Sequence, residues 1–236
     1  MIMPSDKTYK ITKRIMLGES VMNPDFRLLA DFIDQTFGVK TINIIYDTFG
    51  VDKRPRLNIC FEFGREQQVF NENNAAFNFD SKKQQLIARK FKETLKEQDL
   101  GGKNGIWSIF TNSDNDKYNT RNVFVCYSAF EPIARIEAYE KIQEQDVARL
   151  KKELRNQDLW TISRAFGEPT FFLYTDEQVQ HYENSDMKKE WANKYFDLLV
   201  PNDEFRYFTR EKFNICLDSR ENFDTNYSSN WFYYYR

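Results

Sequence analysis

Apolar residues recur along the chain at two different spacings, and the switches between them predict helices and strands in a regular order. Asn23 and Pro24 precede apolar positions three or four residues apart, which predicts a helix that ends at Gly38. Alternating apolar positions then predict two strands, at residues 41–47 and 56–63. A helix followed by two strands is therefore the first group of elements.

The same order is predicted three more times. Helices should begin near residues 80, 143 and 185, because apolar residues there return to helical spacing. Two strand-like stretches follow each of these helices. The six further strands are predicted at residues 106–111, 122–128, 160–163, 170–175, 204–211 and 212–218.

The second strands of the four groups resemble one another. They contain the sequences NIC, FVC, FFL and NIC, which aligns Cys60, Cys126, Leu173 and Cys216. We interpret this as a weak internal repeat. A chance resemblance is the alternative, because short strands draw on few residue types.

The predicted fold class is α+β, with a mainly antiparallel sheet and its helices on one face. If residues 9–17 form an opening strand, the order β-α-β-β-α-β occurs twice, which predicts two tandem ferredoxin-like modules. One continuous antiparallel sheet is the second grouping. The predicted modules are residues 1–118 and 119–236, closely packed because residues 131–142 are rich in apolar positions and lack a glycine-rich linker.

Alternation along the strands predicts two unlike sheet faces. Large apolar side chains such as Ile59, Val125 and Ile215 share one face and should lie beneath the helices. The other face is semi-polar and is predicted to remain available for binding. It carries Asn58, Cys60, Glu62, Phe124, Cys126, Ser128, Asn214, Cys216 and Asp218.

Composition narrows the function classes. The 236 residues are 41% hydrophobic and 17% aromatic, enough for a core without metal or disulfide support. The 34 Lys and Arg against 36 Asp and Glu give a net charge of −2, which disfavours nucleic-acid binding. The bias towards Lys, Asn, Phe and Tyr is typical of an AT-rich bacterial genome.

Localisation follows from the cysteines and the hydropathy. Three scattered cysteines with apolar neighbours predict reduced thiols in a cytoplasmic protein. The first residues lack the apolar core of a signal peptide. No apolar run approaches the ~18 residues of a membrane span, so no membrane association is predicted.

The sequence contains no motif that specifies an enzyme, a cofactor or a metal centre. The single histidine, His181, lies in a polar stretch and cannot form a two-histidine metal site. The cysteines are best interpreted as small hydrophobic residues that pack between neighbouring side chains. Asp47, Glu62 and Asp218 are candidate binding residues, because carboxylates on one sheet face could bind a hard cation or act as acid and base.

The sequence SSNWFYYYR at residues 228–236 is the most unusual local feature. A strand there would place Trp231, Tyr233 and Tyr235 on one face. These rings are candidate contacts for a partner, because Tyr and Trp provide large contact areas with few rotatable bonds. The alternative is a terminal strand that seals the core.

These features predict a non-catalytic binding module for a protein partner, such as an inhibitor, an adaptor or an immunity-type protein. The alternative is a small-molecule sensor with an aromatic-lined cleft between two similar halves. An enzyme of a rare class and an aromatic nucleic-acid binder are less favoured.

Overall fold

The computed structural model of the chain describes residues 3–72, 78–100, 117–164 and 168–236. The chain divides into two compact units, Met1–Ile133 (unit 1) and Ala134–Arg236 (unit 2). Within the described residues the fold is mixed α+β, with ten helices and two three-stranded sheets. None of these helices is long and apolar enough to cross a membrane.

Unit 1 contains a sheet in the order β1-β2-β3, with β1 and β2 antiparallel and β2 and β3 parallel. The division between the units falls within the helix that follows β3. The elements of unit 1 are α1 (Lys7–Met16), α2 (Arg27–Phe37), β1 (Thr41–Phe49), β2 (Arg54–Phe61), α3 (Gly64–Gln68), α4 (Ser81–Glu97) and β3 (Phe124–Ala129), and α5 (Phe130–Lys141) continues into unit 2.

Local sequence explains where the predicted helices of unit 1 begin and end. The Asn23 side chain accepts the N–H of Asp25 in the short 3-10 turn that precedes α2, and Pro24 occupies the first position of that turn. Helix α2 ends at Gly38, which has a φ of 67°, and glycine adopts this left-handed conformation at little steric cost. The Asp80 side chain caps α4 by accepting the N–H groups of Lys82 and Lys83.

The main core of unit 1 lies between one sheet face and helices α2 and α4. Ile59, Phe61 and Val125 are buried there, which confirms the predicted apolar face. Phe61 stacks on Phe70, which in turn stacks on Tyr127, with ring centroids 4.9 and 4.4 Å apart. Aromatic stacking therefore adds to area burial in this core.

The opposite face of the same sheet is covered by α1. The Asn43 side-chain amide donates to Thr12 Oγ1 at 3.0 Å, and Thr12 donates to the Thr8 carbonyl at 2.9 Å. Cys60 is 4% exposed beneath this helix. The predicted opening strand at residues 9–17 is therefore wrong, as is the prediction that all helices lie on one face. The apolar positions of this stretch also fit a helix, and its inward-facing position 12 is polar.

Unit 2 contains a second sheet, in the order β4-β5-β6, with β4 and β5 antiparallel and β5 and β6 parallel. Among the described strands, each sheet thus has one antiparallel and one parallel pair, which does not fit the prediction of a mainly antiparallel sheet. The elements are α6 (Glu144–Leu154), β4 (Leu159–Ser163), β5 (Thr170–Leu173), α7 (Asp176–Tyr182), α8 (Asp186–Leu199), β6 (Cys216–Ser219), α9 (Arg220–Tyr227) and α10 (Trp231–Tyr234).

Helices also cover both faces of the sheet in unit 2. Phe171 contacts Trp191 and Tyr195 of α8 on one face. The neighbouring Phe172 contacts rings of α9 and α10 on the other face. Ile215 is fully buried, as predicted, whereas Cys216 is exposed.

Several predicted strands differ from the structure. Residues 204–211 and 228–236 form no strand, and the strand predicted at 212–218 is limited to Cys216–Ser219. The strand predicted at 106–111 lies outside the described residues. Among the described residues the order helix-strand-strand is found twice, and the tandem ferredoxin-like arrangement is not confirmed. The sequence places the module boundary between residues 118 and 119; β3, which lies beyond it, pairs with β2 and belongs to unit 1.

The two units nevertheless share details of local geometry. The first strand pair has a register irregularity at the same place in each unit, between Thr41 and Asn43 and between Leu159 and Thr161. In the parallel strand pairs, Cys126 lies opposite Asn58 in unit 1, and Cys216 lies opposite Thr170 in unit 2. The two pairings make Asn58 equivalent to Thr170, and Cys126 equivalent to Cys216. Two residues further along the middle strands, Cys60 is then equivalent to Phe172, and not to Leu173 as the sequence predicts.

The contact between α1 and the sheet can be tested with Thr12→Val, which removes the hydroxyl that accepts the Asn43 amide. We expect the free energy of unfolding to fall by about 1–3 kcal/mol, because a buried donor is left unpaired. Urea denaturation followed by circular dichroism measures this change. The control, Thr225→Val at an exposed position of α9, should shift stability by less than about 0.5 kcal/mol. Equal effects of the two variants would contradict the placement of α1.

Candidate functional site

Residues 228–236, which the sequence predicts as a strand, contain the short helix α10. The Asn230 side chain accepts the N–H of Phe232 at 2.9 Å and begins the helix. Ser228 and Ser229, both with positive φ, connect α9 to α10. Because the backbone is helical, residues three or four apart share a side, and alternate residues do not.

The inner side of α10 is held by two tyrosines. The Tyr234 hydroxyl donates to Asp218 Oδ2, and its ring meets the edge of Phe172 at 5.2 Å between centroids. The Tyr235 hydroxyl donates to Ser163 Oγ in β4. These contacts fix the orientation of a helix that is only four residues long.

Asp218 is itself held in place. Its Oδ1 atom accepts the Asn222 side-chain amide at 2.9 Å and the Ser219 backbone N–H at 2.7 Å. The carboxylate therefore links the end of β6, the start of α9 and the inner side of α10. This arrangement gives Asp218 a positioning role beneath the aromatic residues.

Trp231 lies between buried rings and solvent. Its ring is 4.2 Å from Phe223 and stacks with Trp160 and Tyr235 at 6.1 and 5.9 Å between centroids. Its side chain is nevertheless 40% exposed. Trp231 therefore has a fixed orientation but still offers ring surface to a partner.

The outer side of α10 presents Phe232 and Tyr233, which are 68% and 53% exposed. Together with Trp231 they form three consecutive exposed aromatic residues, which we call the aromatic surface. The guanidinium of Arg236 lies 5.7 Å from the centroid of the Phe232 ring. Large exposed rings on an anchored helix are typical of contact surfaces.

The tyrosines on the inner side remain protonated in the folded chain. Burial, followed by the hydrogen bond to Asp218, raises the pKa of Tyr234 well above its usual value. Burial also raises the pKa of Tyr235, although Ser163 opposes the shift. Both hydroxyls are therefore donors at neutral pH.

The structure brings together only some of the predicted site residues. Asp218, Trp231 and Tyr235 lie in one cluster, whereas Tyr233 lies on the outer side of α10 and not on a shared strand face. Sequence reasoning assigned no role to Phe232 or to the anchor Tyr234. Asn230 before an aromatic run is a helix-capping signal that could have identified both.

The carboxylates Asp47 and Glu62 do not share a site with each other. Asp47 accepts two hydrogen bonds from Arg56, at 2.8 and 2.7 Å, and pairs across from it on the sheet. Glu62 lies past the far end of β2, 4.0 Å from Lys40 Nζ. Asp47 lies opposite Arg56, and Glu62 is six residues beyond Arg56 along the chain. At the rise of an extended strand, the two carboxylates are therefore roughly 20 Å apart. Across the described parts of the chain, no group of three His, Cys, Asp or Glu side chains could hold a metal ion.

The cysteines have weakly acidic thiols. Burial raises the pKa of Cys60 to about 12 and that of Cys126 to about 11, even though Arg56 lowers the latter. Burial and the nearby Glu168, 3.9 Å away, raise the pKa of Cys216. All three thiols are protonated at neutral pH, so they lack the thiolate character of a nucleophile.

The link between Asp218 and α10 can be tested with Tyr234→Phe, which removes only the hydroxyl. A hydrogen bond to a charged group contributes about 1.5–3 kcal/mol, and we expect a similar loss in the free energy of unfolding at pH 7. Tyr233→Phe, at an exposed position, is the matched control and should leave stability unchanged. An unchanged stability of Tyr234→Phe would show that this anchor is not formed.

The same variant tests the shifted pKa of Tyr234. The folded chain keeps this proton above pH ~10, where the unfolded chain loses it, so the contribution to stability is intact below that pH and declines as the pH rises further. Above pH ~10, the free energy of unfolding of Tyr234→Phe should therefore fall less steeply with pH than that of the wild type. The difference between the two slopes corresponds to at most one proton. Denaturation curves at several pH values measure the slope, and parallel slopes would contradict the shift.

The reactivity of the thiols can be tested with iodoacetamide at pH 7.5 and peptide mapping by mass spectrometry. Cys216 should be alkylated first because it is exposed, and Cys60 last because it is buried and has the pKa of about 12. In urea, all three should react at similar rates. Alkylation of Cys60 before Cys216 in the folded chain would contradict the placement of Cys60 beneath α1.

The aromatic surface offers rings and hydrogen-bond donors rather than reactive groups. The carboxylate beneath it, Asp218, is engaged by Tyr234 and Asn222 and serves to position them. The chemistry that this arrangement supports is binding by contact area and ring stacking. Comparison of the chain with known protein families, with curated proteins and with solved structures finds no match.

Proposed function

We propose that the chain is a non-catalytic binding module that recognises a protein partner through the aromatic surface of α10. The observation that carries this proposal is the outward display of Phe232 and Tyr233 on a helix whose inner residues are anchored. Inhibitors, adaptors and immunity-type proteins are the functional classes that bind in this way without catalysis.

Anchoring supports recognition because it reduces the entropy lost on binding. Side chains that are already ordered pay less conformational entropy when a partner arrives. Tyr234 and Tyr235 hold the backbone of α10, so the neighbouring outward rings are presented in a limited set of orientations. Aromatic residues in such positions commonly carry most of an interface's binding energy.

The size of the surface indicates how it would contribute. From their exposed fractions of 40%, 68% and 53%, the three rings offer roughly 350 Å² of accessible area. At about 25 cal/mol per Å², full burial would contribute about 9 kcal/mol before the entropic cost of association. That cost is itself about 4–15 kcal/mol, so the rings would act as the centre of a larger interface rather than as the whole of it.

We also propose that the protein acts in the cytoplasm of a bacterium. The three cysteines are unpaired in the structure, and their protonated thiols suit a reducing compartment. The compositional bias of the sequence supports a bacterial source. The alternative function, a small-molecule sensor, stays a prediction.

The proposal can be tested with the double variant Phe232→Ser, Tyr233→Ser. The tagged wild-type chain, cross-linked and purified from its native host, should capture the same partner repeatedly. Loss of two binding hot spots of about 2 kcal/mol each should weaken that partner's affinity by more than a hundredfold in a titration with the purified proteins.

The control for this experiment is Val21→Ser, Val51→Ser, which changes two exposed aliphatic residues elsewhere. It should bind the partner as the wild type does, and circular dichroism should show that all three proteins are folded. Recovery of the wild-type chain alone, or equal affinity of both double variants, would refute the proposal.

A further inference from the structure

In unit 1, helix α1 covers one end of its sheet face and leaves the other end partly exposed. Phe49 pairs with Arg54 across β1 and β2, and Arg56 pairs with Phe124 across β2 and β3. All four side chains remain partly exposed, in contrast to Asn58 and Cys60 further along β2, which are buried. We call these four residues the arginine–phenylalanine surface.

Cations and rings alternate on this surface. The guanidinium of Arg54 lies 5.4 Å from the centroid of Phe124, and that of Arg56 lies 5.5 Å from the centroid of Phe49. The two phenylalanine rings are 5.4 Å apart. Each arginine is thus placed over a ring on a neighbouring strand, which limits its rotamers before any ligand binds.

The two arginines differ in their hydrogen bonding. Arg56 is held by both carboxylate oxygens of Asp47, which neutralise it. Arg54 donates from Nε to the Asn122 carbonyl at 3.0 Å, and its two terminal nitrogens have no partner among the residues that the structure describes. A guanidinium has five N–H donors in a planar fork that fits a carboxylate.

The net charge of this surface favours a ligand with one carboxylate over a nucleic-acid backbone. Two guanidinium charges minus the Asp47 carboxylate leave a charge of +1 on these five side chains. Affinity for a nucleic-acid backbone depends on neutralising several phosphates, and a single available cation supplies little of it. One carboxylate beside an apolar group matches both the free fork of Arg54 and the adjacent rings.

We propose that the arginine–phenylalanine surface binds an acidic segment of a protein partner. An Asp or Glu of that segment accepts hydrogen bonds from the terminal nitrogens of Arg54, and a neighbouring apolar side chain contacts Phe49 and Phe124. This inference rests on the proposed function only in that the ligand is a protein. It concerns unit 1 and is independent of the aromatic surface in unit 2.

The test is selection of a displayed library of random twelve-residue peptides on the immobilised full chain. Wild type should enrich peptides with Asp or Glu next to an aromatic or large aliphatic residue, and Arg54→Gln should not. Arg89→Gln, at an exposed arginine of α4 that pairs with Glu93, is the matched control and should enrich the same peptides as wild type. Enrichment that is absent, or equal on Arg54→Gln, would overturn the proposal.

The most enriched peptide is then synthesised and titrated by calorimetry. Arg54→Gln, or replacement of the peptide's acidic residue by its amide, should weaken binding at least tenfold. Arg54→Lys should give an intermediate loss, because lysine keeps the charge but not the planar fork. Equal binding of the acidic and amide peptides would overturn the role of Arg54, and so would tighter binding of a ten-nucleotide single-stranded DNA than of the peptide.

The Phe232→Ser, Tyr233→Ser variant separates this proposal from the proposed function. It should retain the peptide affinity of the wild type, because it leaves unit 1 unchanged. If peptide binding persists in this variant while capture of the cellular partner is lost, both proposals stand. If peptide binding is lost only with Arg54→Gln and capture of the cellular partner does not depend on α10, the proposed role of the aromatic surface is refuted. The proposed role of the arginine–phenylalanine surface is then supported.

Discussion

Both sheets depend on the burial of their middle strand between helices on its two faces. In unit 1, Ile59 and Phe61 of β2 lie against the core formed with α2 and α4, while Cys60 between them lies beneath α1. In unit 2, Phe171 and Phe172 of β5 point to opposite faces, and both are fully buried. A three-stranded sheet has little surface of its own, so covering both faces of its middle strand is the main way to remove apolar area from water.

The residue on the second face of the middle strand determines what covers it. In unit 1 this position is Cys60, a small residue among Asn43, Ser128 and Thr12, and the covering helix α1 contacts the sheet through hydrogen bonds. In unit 2 the matching position is Phe172, and the cover is a cluster of aromatic rings from α9 and α10. The aromatic surface exists because this cluster anchors α10 from below.

Much of the fold could be predicted from local sequence, because the signals are themselves local. Asn23, Pro24 and Gly38 bound the α2 region through capping and backbone preference, and alternation along β2 predicts which residues enter the core. The site was predicted less well. The aromatic run at 228–236 is predicted to be a strand that contacts a partner, but its helical geometry reverses the sides of Tyr233 and Tyr234.

By itself, the sequence determined the positions of the main helices, the apolar strand faces and the concentration of rings near residue 231, because each depends on neighbours within a few residues. Only the tertiary structure decided that β2 and β3, like β5 and β6, run parallel, that residues 7–16 are helical, and that Arg54 lies over Phe124. These features depend on partners distant along the chain, and the free energy of such contacts is not encoded in any short stretch. The alternating pattern of residues 9–17 fits a strand or a helix equally well until the sheet beneath it supplies Asn43 as a partner for Thr12.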